Sequence, residues 1–350
     1  MELTLQRVEV RFAQPQETAY GMLRSRELIE VTLTGEDGLS GRGEAAPLEP
    51  YDGVSLERVL VALEAYRSPL ASSPPRAGGT LLDACRAVDE LPQALAAIDL
   101  ALWDLAGKRA GRPVCELLSD TPAAAITVNA SVAAAPPQEA ARAAAQAVAE
   151  GYSCVKLKVG MADDLDRVAA VRAAIGPQTS LRLDANGAWS VAQAEQTLTA
   201  LAVHGLELIE EPVRGLDETR ELRERVPVRI AIDETAAIAG ALTARVADAV
   251  CLKISRCGGI GGLLAAAALV RSSGAEVYLA STYDGPCGIA AALHAAAALA
   301  PLPPCGLATL ELFEEQAANA GGGHLRVVGG QIVVPRGPGL GLGPATPRGR

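Results

Sequence analysis

"CVKLKVG" at residues 154–160, "LRLDANGAW" at 181–189, "LELIEEP" at 206–212, "VRIAIDET" at 228–235 and "AVCLKISRCGG" at 249–259 share one form. Each contains a short apolar run, rich in Val, Ile and Leu, that ends on a charged side chain and leads into a helix-like segment. The charged residues are Lys156 and Lys158, then Asp184, Glu210, Asp233 and Lys253. From Lys158 onward the steps are 26, 26, 23 and 20 residues, the length of one strand-plus-helix unit. Such units, closed into a barrel of parallel strands, point all of these groups from one carboxyl-terminal rim. Three carboxylates between lysines suit a hard divalent cation held by oxygen, with an amine on either side of a substrate.

Outside this stretch the rhythm continues. Strands are expected at 126–132, 153–158, 180–184, 206–210, 228–232, 249–253, 276–281 and 307–311. Ala-rich helices are expected at 136–150, 163–175, 190–204, 216–225, 236–247, 259–273 and 287–299. Alternation of this kind favours parallel strands with right-handed crossovers. Eight strands point to an α/β modified TIM barrel, and an open doubly wound sheet fits the same rhythm. No GxGxxG follows the first strand, so a dinucleotide fold lacks its usual support.

The first 50 residues read differently. "LQRVEVRFA" and "ELIEVTLTGEDG" alternate, and "SGRGEAAPLEP" follows, as in an antiparallel meander. Residues 14–22 are polar without strong periodicity and read as a loop, a mobile lid. Helices follow in "SLERVLVALEAY", "LDACRAVDEL" and "LPQALAAIDLALWDLAGKRAG", with a Pro/Gly-rich break at 68–79 and an end at Gly107 or Gly111. The expected organisation is an α+β capping domain over 1–120, a barrel over 121–320, and a segment over 321–350 that packs back toward the cap and ends in a disordered tail.

Composition limits the function. The chain has 350 residues, 49% hydrophobic and 3% aromatic, so its core must be Ala, Leu and Val. A net charge of -10 with no basic run argues against nucleic acid or an anionic membrane as partner. No segment reads as a signal peptide or a membrane span. Seven scattered cysteines without a CxxC pair indicate a reduced, cytoplasmic protein. His204, His294 and His324 share no ligand spacing, so they read as surface or packing residues rather than a zinc site.

Taken singly, Asp184, Glu210 or Asp233 is best read as a cap on the following helix. All three at successive strand ends, with lysines on both sides, read better as ligands of Mg²⁺, with Mn²⁺ as a substitute. Lys158 and Lys253 are the acid/base candidates, on the expectation that desolvation and neighbouring cations lower a buried lysine's pKa. Lys156, two residues before Lys158 and on its face, is placed to bind a substrate oxygen. Glu211 and Glu234 alternate away from the rim centre, into supporting positions beside the ligands, and Asn186 is also expected in a supporting position. Asp284 is either a substrate contact or a turn residue of Asp284-Gly285.

The order KxK, DANGAW, IEEP, IDE and LKISRCGG resembles the enolase superfamily in its muconate-lactonizing subgroup, and "VVPRGPGLGL" resembles that subgroup's ending. The resemblance implies a capped (β/α)7β barrel in which Asp184, Glu210 and Asp233 bind Mg²⁺. The metal holds a small-molecule carboxylate substrate, and Lys158 takes its α-proton to give an enediolate. Lys253 stands on the opposite face as second acid/base or electrostatic stabiliser. The 14–22 loop and the turn "EPYDG" at 49–53 cover the mouth and choose the substrate, and a homo-oligomer is the expected state. "CGLATLEL" (305–312) is similar to a segment of o-succinylbenzoate synthases, and the Asp-x-Asp usual there in dipeptide epimerases is missing. "STYDGPCGIAAALH" (281–294) departs from the synthase pattern. The synthase is the first reading. N-acylamino-acid racemase, dipeptide epimerase and muconate cycloisomerase use the same residues, and a catalytically retired carboxylate-binding protein is the non-enzyme reading.

Overall fold

A computed structural model describes residues 1–71, 78–314 and 325–343. Strands β1 (Glu2–Thr18), β2 (Gly21–Thr34) and β3 (Ser40–Ala45) form an antiparallel sheet in that order. The expected lid at 14–22 is instead the tip of the β1–β2 hairpin. Gln16, Glu17 and Thr18 pair with Leu23, Met22 and Gly21 beyond a bulge after Arg11. Both faces of this tip are largely exposed, so pairing there needs no apolar alternation, which is why the sequence pattern fades.

Helices α1 (Glu49–Asp52), α2 (Leu56–Ala65), α3 (Arg67–Ala71), α4 (Gly78–Val88), α5 (Pro92–Ala110) and α6 (Val114–Leu118) complete the cap. The expected break at 68–79 is helical at both ends, and residues 72–77 lie outside the described residues. Helix α5 starts at Pro92 and ends at Gly111, whose φ of 64° closes it in the left-handed region, whereas Gly107 lies within it. It is buried nearly all round because β3 lies on one side and the barrel on the other. Gly41 and Gly43 allow the first contact. A Cβ on Gly43 would sit 1.9 Å from the Ala97 carbonyl oxygen, and one on Gly41 2.0 Å from that of Ala101.

The barrel follows as β4 (Ala125–Thr127), β5 (Ala130–Val132), α7 (Pro137–Ala149), β6 (Cys154–Lys158), α8 (Asp164–Ile175), β7 (Ser180–Asp184), α9 (Val191–Leu201), β8 (Leu208–Glu210), α10 (Leu216–Arg223), β9 (Ile230–Ile232), β10 (Ala249–Leu252), α11 (Ile260–Ser272), β11 (Glu276–Leu279) and α12 (Pro286–Leu299). β5 to β11 form one parallel sheet in sequence order. The expected first strand, 126–132, divides. β4 turns outward and pairs antiparallel with β13 (Gln331–Val333), which also pairs with β12 (Val327–Val328).

The expected eighth strand, 307–311, is a correction. Strand pairing there is confined to Cys305, bridged to Val128, and Gly306, bridged to Ala280. These two residues close the sheet between its edges, which excludes the open doubly wound form. Leu307 and Leu310 are buried three positions apart, the spacing of the 3-10 turn at Leu310–Leu312 rather than of a strand. The helix expected at 236–247 is also absent. In its place are 3-10 turns at Glu234–Ala237 and Ala241–Thr243, separated by Gly240 at φ 82°. The Glu211 carboxylate accepts the Asp233 and Thr235 backbone N–H groups at the start of the first turn.

His294 is enclosed in α12, where its Nδ1 accepts the Cys115 N–H and burial pushes its pKa down to about 4. It is a packing residue. His204 is half-buried in a 3-10 turn, and His324 lies outside the described residues, as does the expected tail. The seven cysteines are all unbridged, and no helix among the described residues is long and apolar enough to cross a membrane.

Candidate active site

Parallel register assembles the site. Lys158 stands opposite Asp184 across β6–β7, and Asp184 opposite Glu210 across β7–β8. Lys158 Nζ donates to Asp184 Oδ2 and Asn186 Oδ1, each at 2.7 Å. Lys156 Nζ lies 2.9 Å from both Asp184 Oδ2 and Glu210 Oε1. On the other side, Lys253 Nζ donates to Asp233 Oδ1 at 2.6 Å and bonds Oδ2 as well. Nine-tenths or more of each carboxylate is buried. The amines differ: the Lys158 side chain is 33% exposed, against 12% for Lys156 and 8% for Lys253.

Burial alone would raise the Asp184 carboxyl, but Lys156 and Lys158 outweigh it and hold the group well below the carboxylate range. Asp233 is likewise lowered, by Lys253 against burial. Glu210 goes the other way, because burial beside Asp184 and Asp233 exceeds the help from Lys156. The expectation that burial lowers the acid/base lysines is corrected for Lys253, and Lys156 behaves in the same way. Burial does act that way, yet the carboxylates around Lys156 and Lys253 overcome it and keep both cationic. The ammonium groups thus neutralise a carboxylate cluster that chemically fits a divalent cation.

The neighbouring acids hold this arrangement. Glu211, at φ 42°, clasps the start of the turn after β9, and burial pushes its pKa up to about 8. Asn186, at φ 47°, passes from Lys158 to Glu234, to which its Nδ2 donates at 3.1 Å. Asp284 meets this cluster through the charge of Lys253 rather than through a hydrogen bond. It accepts from Thr282 Oγ1 at 2.9 Å, flanks Gly288 together with Glu44 of β3, and is buried in the cap–barrel seam.

Three tyrosines escape sequence reasoning. Tyr51, in α1, donates to Asp233 Oδ1 at 2.8 Å and accepts from Lys253 and Arg256, each at 2.7 Å. Tyr20, at the hairpin tip, donates to Glu234 Oε1 at 2.6 Å. Tyr278, in β11, donates to Glu210 Oε2 at 2.6 Å. The turn at 49–53 was the one signal pointing to Tyr51. A cavity of about 480 Å³ opens beside Asp233 and Lys253, with Cys251, Gln93 and Arg256 in its wall.

Residues 139–347 match the family model for the enolase C-terminal domain-like fold, and residues 1–119 match that for the mandelate racemase/muconate lactonizing enzyme N-terminal domain. The chain belongs to the enolase superfamily, in its muconate-lactonizing subgroup. Enzymes of this superfamily are lyases or isomerases, and so is this one. Muconate cycloisomerase 1 of Rhodococcus opacus is 30% identical across 96% of this chain and 93% of its own length. The o-succinylbenzoate synthase of Thermobifida fusca is 40% identical across 54% of this chain and 61% of its own. Among solved structures, the dipeptide epimerase of Enterococcus faecalis with Mg and L-Leu-L-Tyr is 26% identical, with a TM-score of 0.88 over 97% of this chain and 98% of its own. Superfamily members bind Mg²⁺ through acidic residues, and the barrel interior here carries such a group.

Proposed function

We propose that this enzyme removes the proton alpha to a substrate carboxylate, with Lys158 as base and Lys253 as a fixed cation on the opposite side. The observation that carries this is the single row Lys158–Asp184–Glu210, faced by Asp233–Lys253. Asp184, Glu210 and Asp233 would hold Mg²⁺, which when bound supplies Lewis-acid stabilisation of the carboxylate as its α-proton leaves. Lys158 is the amine most open to a substrate at the mouth, and Asn186 orients it. Lys156 stabilises the carboxylate cluster from below. Tyr20 and Tyr51 bring the cap over the mouth, where they shape access to both lysines. Asp284 serves the seam with Glu44 in this reading, and contacts no substrate.

We further propose that the reaction is dehydration of a succinyl-hydroxy-cyclohexadiene carboxylate to o-succinylbenzoate. Lys158 Nζ takes the α-proton and delivers it to the departing hydroxyl on the same face, so that water leaves and the ring becomes aromatic. Two observations support this over dipeptide epimerisation. The likeness to a synthase is at the 40% level. Among the described residues after Gly306, Thr309 pairs with Ser281, and Glu311 and Glu314 are exposed, Glu311 accepting the Val327 N–H at 3.0 Å. An N-acylamino-acid racemase is the second reading, favoured by amines on both sides of the cluster and by the N-succinyl Arg/Lys racemase of Bacillus cereus, 25% identical with a TM-score of 0.90 over 97% of this chain and 94% of its own. An ultraviolet assay on the cyclohexadiene carboxylate, with and without Mg²⁺, tests the choice. Mg²⁺-dependent conversion faster than α-proton exchange of N-succinyl amino acids supports the dehydratase. Exchange without conversion assigns the racemase.

A further inference from the structure

One group in the barrel interior has no part in this chemistry. Cys251 lies in β10 two residues before Lys253, on the same face of the strand, so its thiol enters the barrel. Its Sγ, one oxygen of Glu210 and one of Asp233 all lie within 4.8 Å of one another, and all three residues are buried. Asp184 is not in this group, and Lys156 and Lys158 both pair with it. Cys251 and Asp233 also line the cavity of about 480 Å³, which supplies an approach.

We propose that Cys251, Glu210 and Asp233 form a second coordination mode of this site, a mixed sulfur–oxygen set that takes a thiophilic divalent cation such as Zn²⁺ or Cd²⁺. The inference rests on the reading of Glu210 and Asp233 as metal ligands. Mg²⁺ binds oxygen and leaves the thiol aside, whereas Zn²⁺ and Cd²⁺ bind thiolate strongly. On binding, the Cys251 thiol proton leaves to water, a metal–sulfur bond forms, and the Lys253 ammonium is displaced from Asp233. Asp184 stays with its two lysines. The two modes share Glu210 and Asp233, so the soft and hard cations exclude one another, and a thiophilic ion occupies the site without the ligand set proposed for catalysis.

The test titrates the metal-free full chain with Cd²⁺ and records the ultraviolet thiolate-to-cadmium charge-transfer band, while calorimetry follows Mg²⁺ binding separately. The expected result is a one-equivalent band that saturating Mg²⁺ suppresses in the unaltered protein, and a Cd²⁺ affinity at least about tenfold lower in Cys251→Ser. A band that survives in a Cys251→Ser variant of unchanged melting profile, or one that Mg²⁺ does not suppress, overturns the proposal. The Mg²⁺ competition needs no variant, so it decides even where Cys251→Ser fails to fold. Mg²⁺ binding with no band overturns this inference alone. Binding of neither cation overturns it together with the metal site proposed above.

Discussion

Tyr278 has one hydroxyl, and it goes to Glu210 in a part of the barrel with no water-exposed alternative. Tyr278→Phe therefore leaves a buried carboxylate oxygen short of a donor. The expected loss is about 1–3 kcal/mol of stability, read by chemical denaturation, and about 10- to 100-fold in Mg²⁺ affinity, read by calorimetry. A variant with unchanged Mg²⁺ affinity would show that Tyr278 only fills space. Lys158→Ala removes the base itself, and Mg²⁺-dependent α-proton exchange should fall by roughly 10²- to 10⁴-fold. Near-normal exchange in that variant would end the assignment of Lys158. These two residues differ in how far the sequence reveals them. Lys158, Asp184, Glu210 and Asp233 each mark the end of an apolar run, where charge is conspicuous. Tyr278 sits inside such a run, and nothing in "EVYLA" says that its hydroxyl meets an acid 68 positions away. Tyr51 and Tyr20 are hidden in the same way, because their partners Asp233 and Glu234 lie 182 and 214 positions downstream.

The elements of the barrel show where periodicity succeeds and fails. The β6 to β11 strands and most helices follow from apolar runs and Ala-rich stretches, since their burial is repeated along the segment. The segment after β9 has the composition of a helix but not its continuity. Glu211, from the loop after β8, accepts the opening N–H groups of Asp233 and Thr235 as a cap would, yet Gly240 at φ 82° interrupts the segment after its first turn. In the cap, β3 depends on what its glycines lack. Gly43→Ala sets a methyl group against the α5 backbone at Ala97, which cannot retreat as a flexible side chain would. The expected destabilisation is at least about 1–3 kcal/mol, measured by urea unfolding of the variant beside the parent. An unchanged midpoint would mean that α5 docks on β3 less tightly than these distances state.

At the scale of the molecule, the cap and the barrel meet across ionisable groups. Glu44 accepts the Gly285 N–H at 2.7 Å at the start of α12. Burial, reinforced by Asp284, raises its pKa from 4.5 to about 8. The sign is fixed by that direction. The folded state holds the proton more tightly than the unfolded one, so Glu44 contributes stability in full below about pH 4.5, and this is lost as pH rises through about 8. Glu211 adds a slope of the same sign. Glu44→Gln keeps an acceptor for Gly285 without the titration, so its melting temperature should fall less than the parent's between about pH 5 and about pH 9. Parallel curves for the two proteins would remove Glu44 from the account.

Helix α5 carries Asp104, which receives the Arg42 N–H at 2.7 Å and the Leu340 N–H at 2.8 Å. The second donor lies 236 positions beyond the carboxylate it serves, and Gly339 meanwhile accepts the Val114 N–H. A ribosome therefore delivers α5 long before the strap that completes it. Until Leu340 is translated, Asp104 Oδ1 is without this donor, so this fastening of α5 cannot precede it. Manufacture and fastening thus run on different clocks: α5 is secured by the backbone of Leu340, translated 236 residues after the carboxylate it serves.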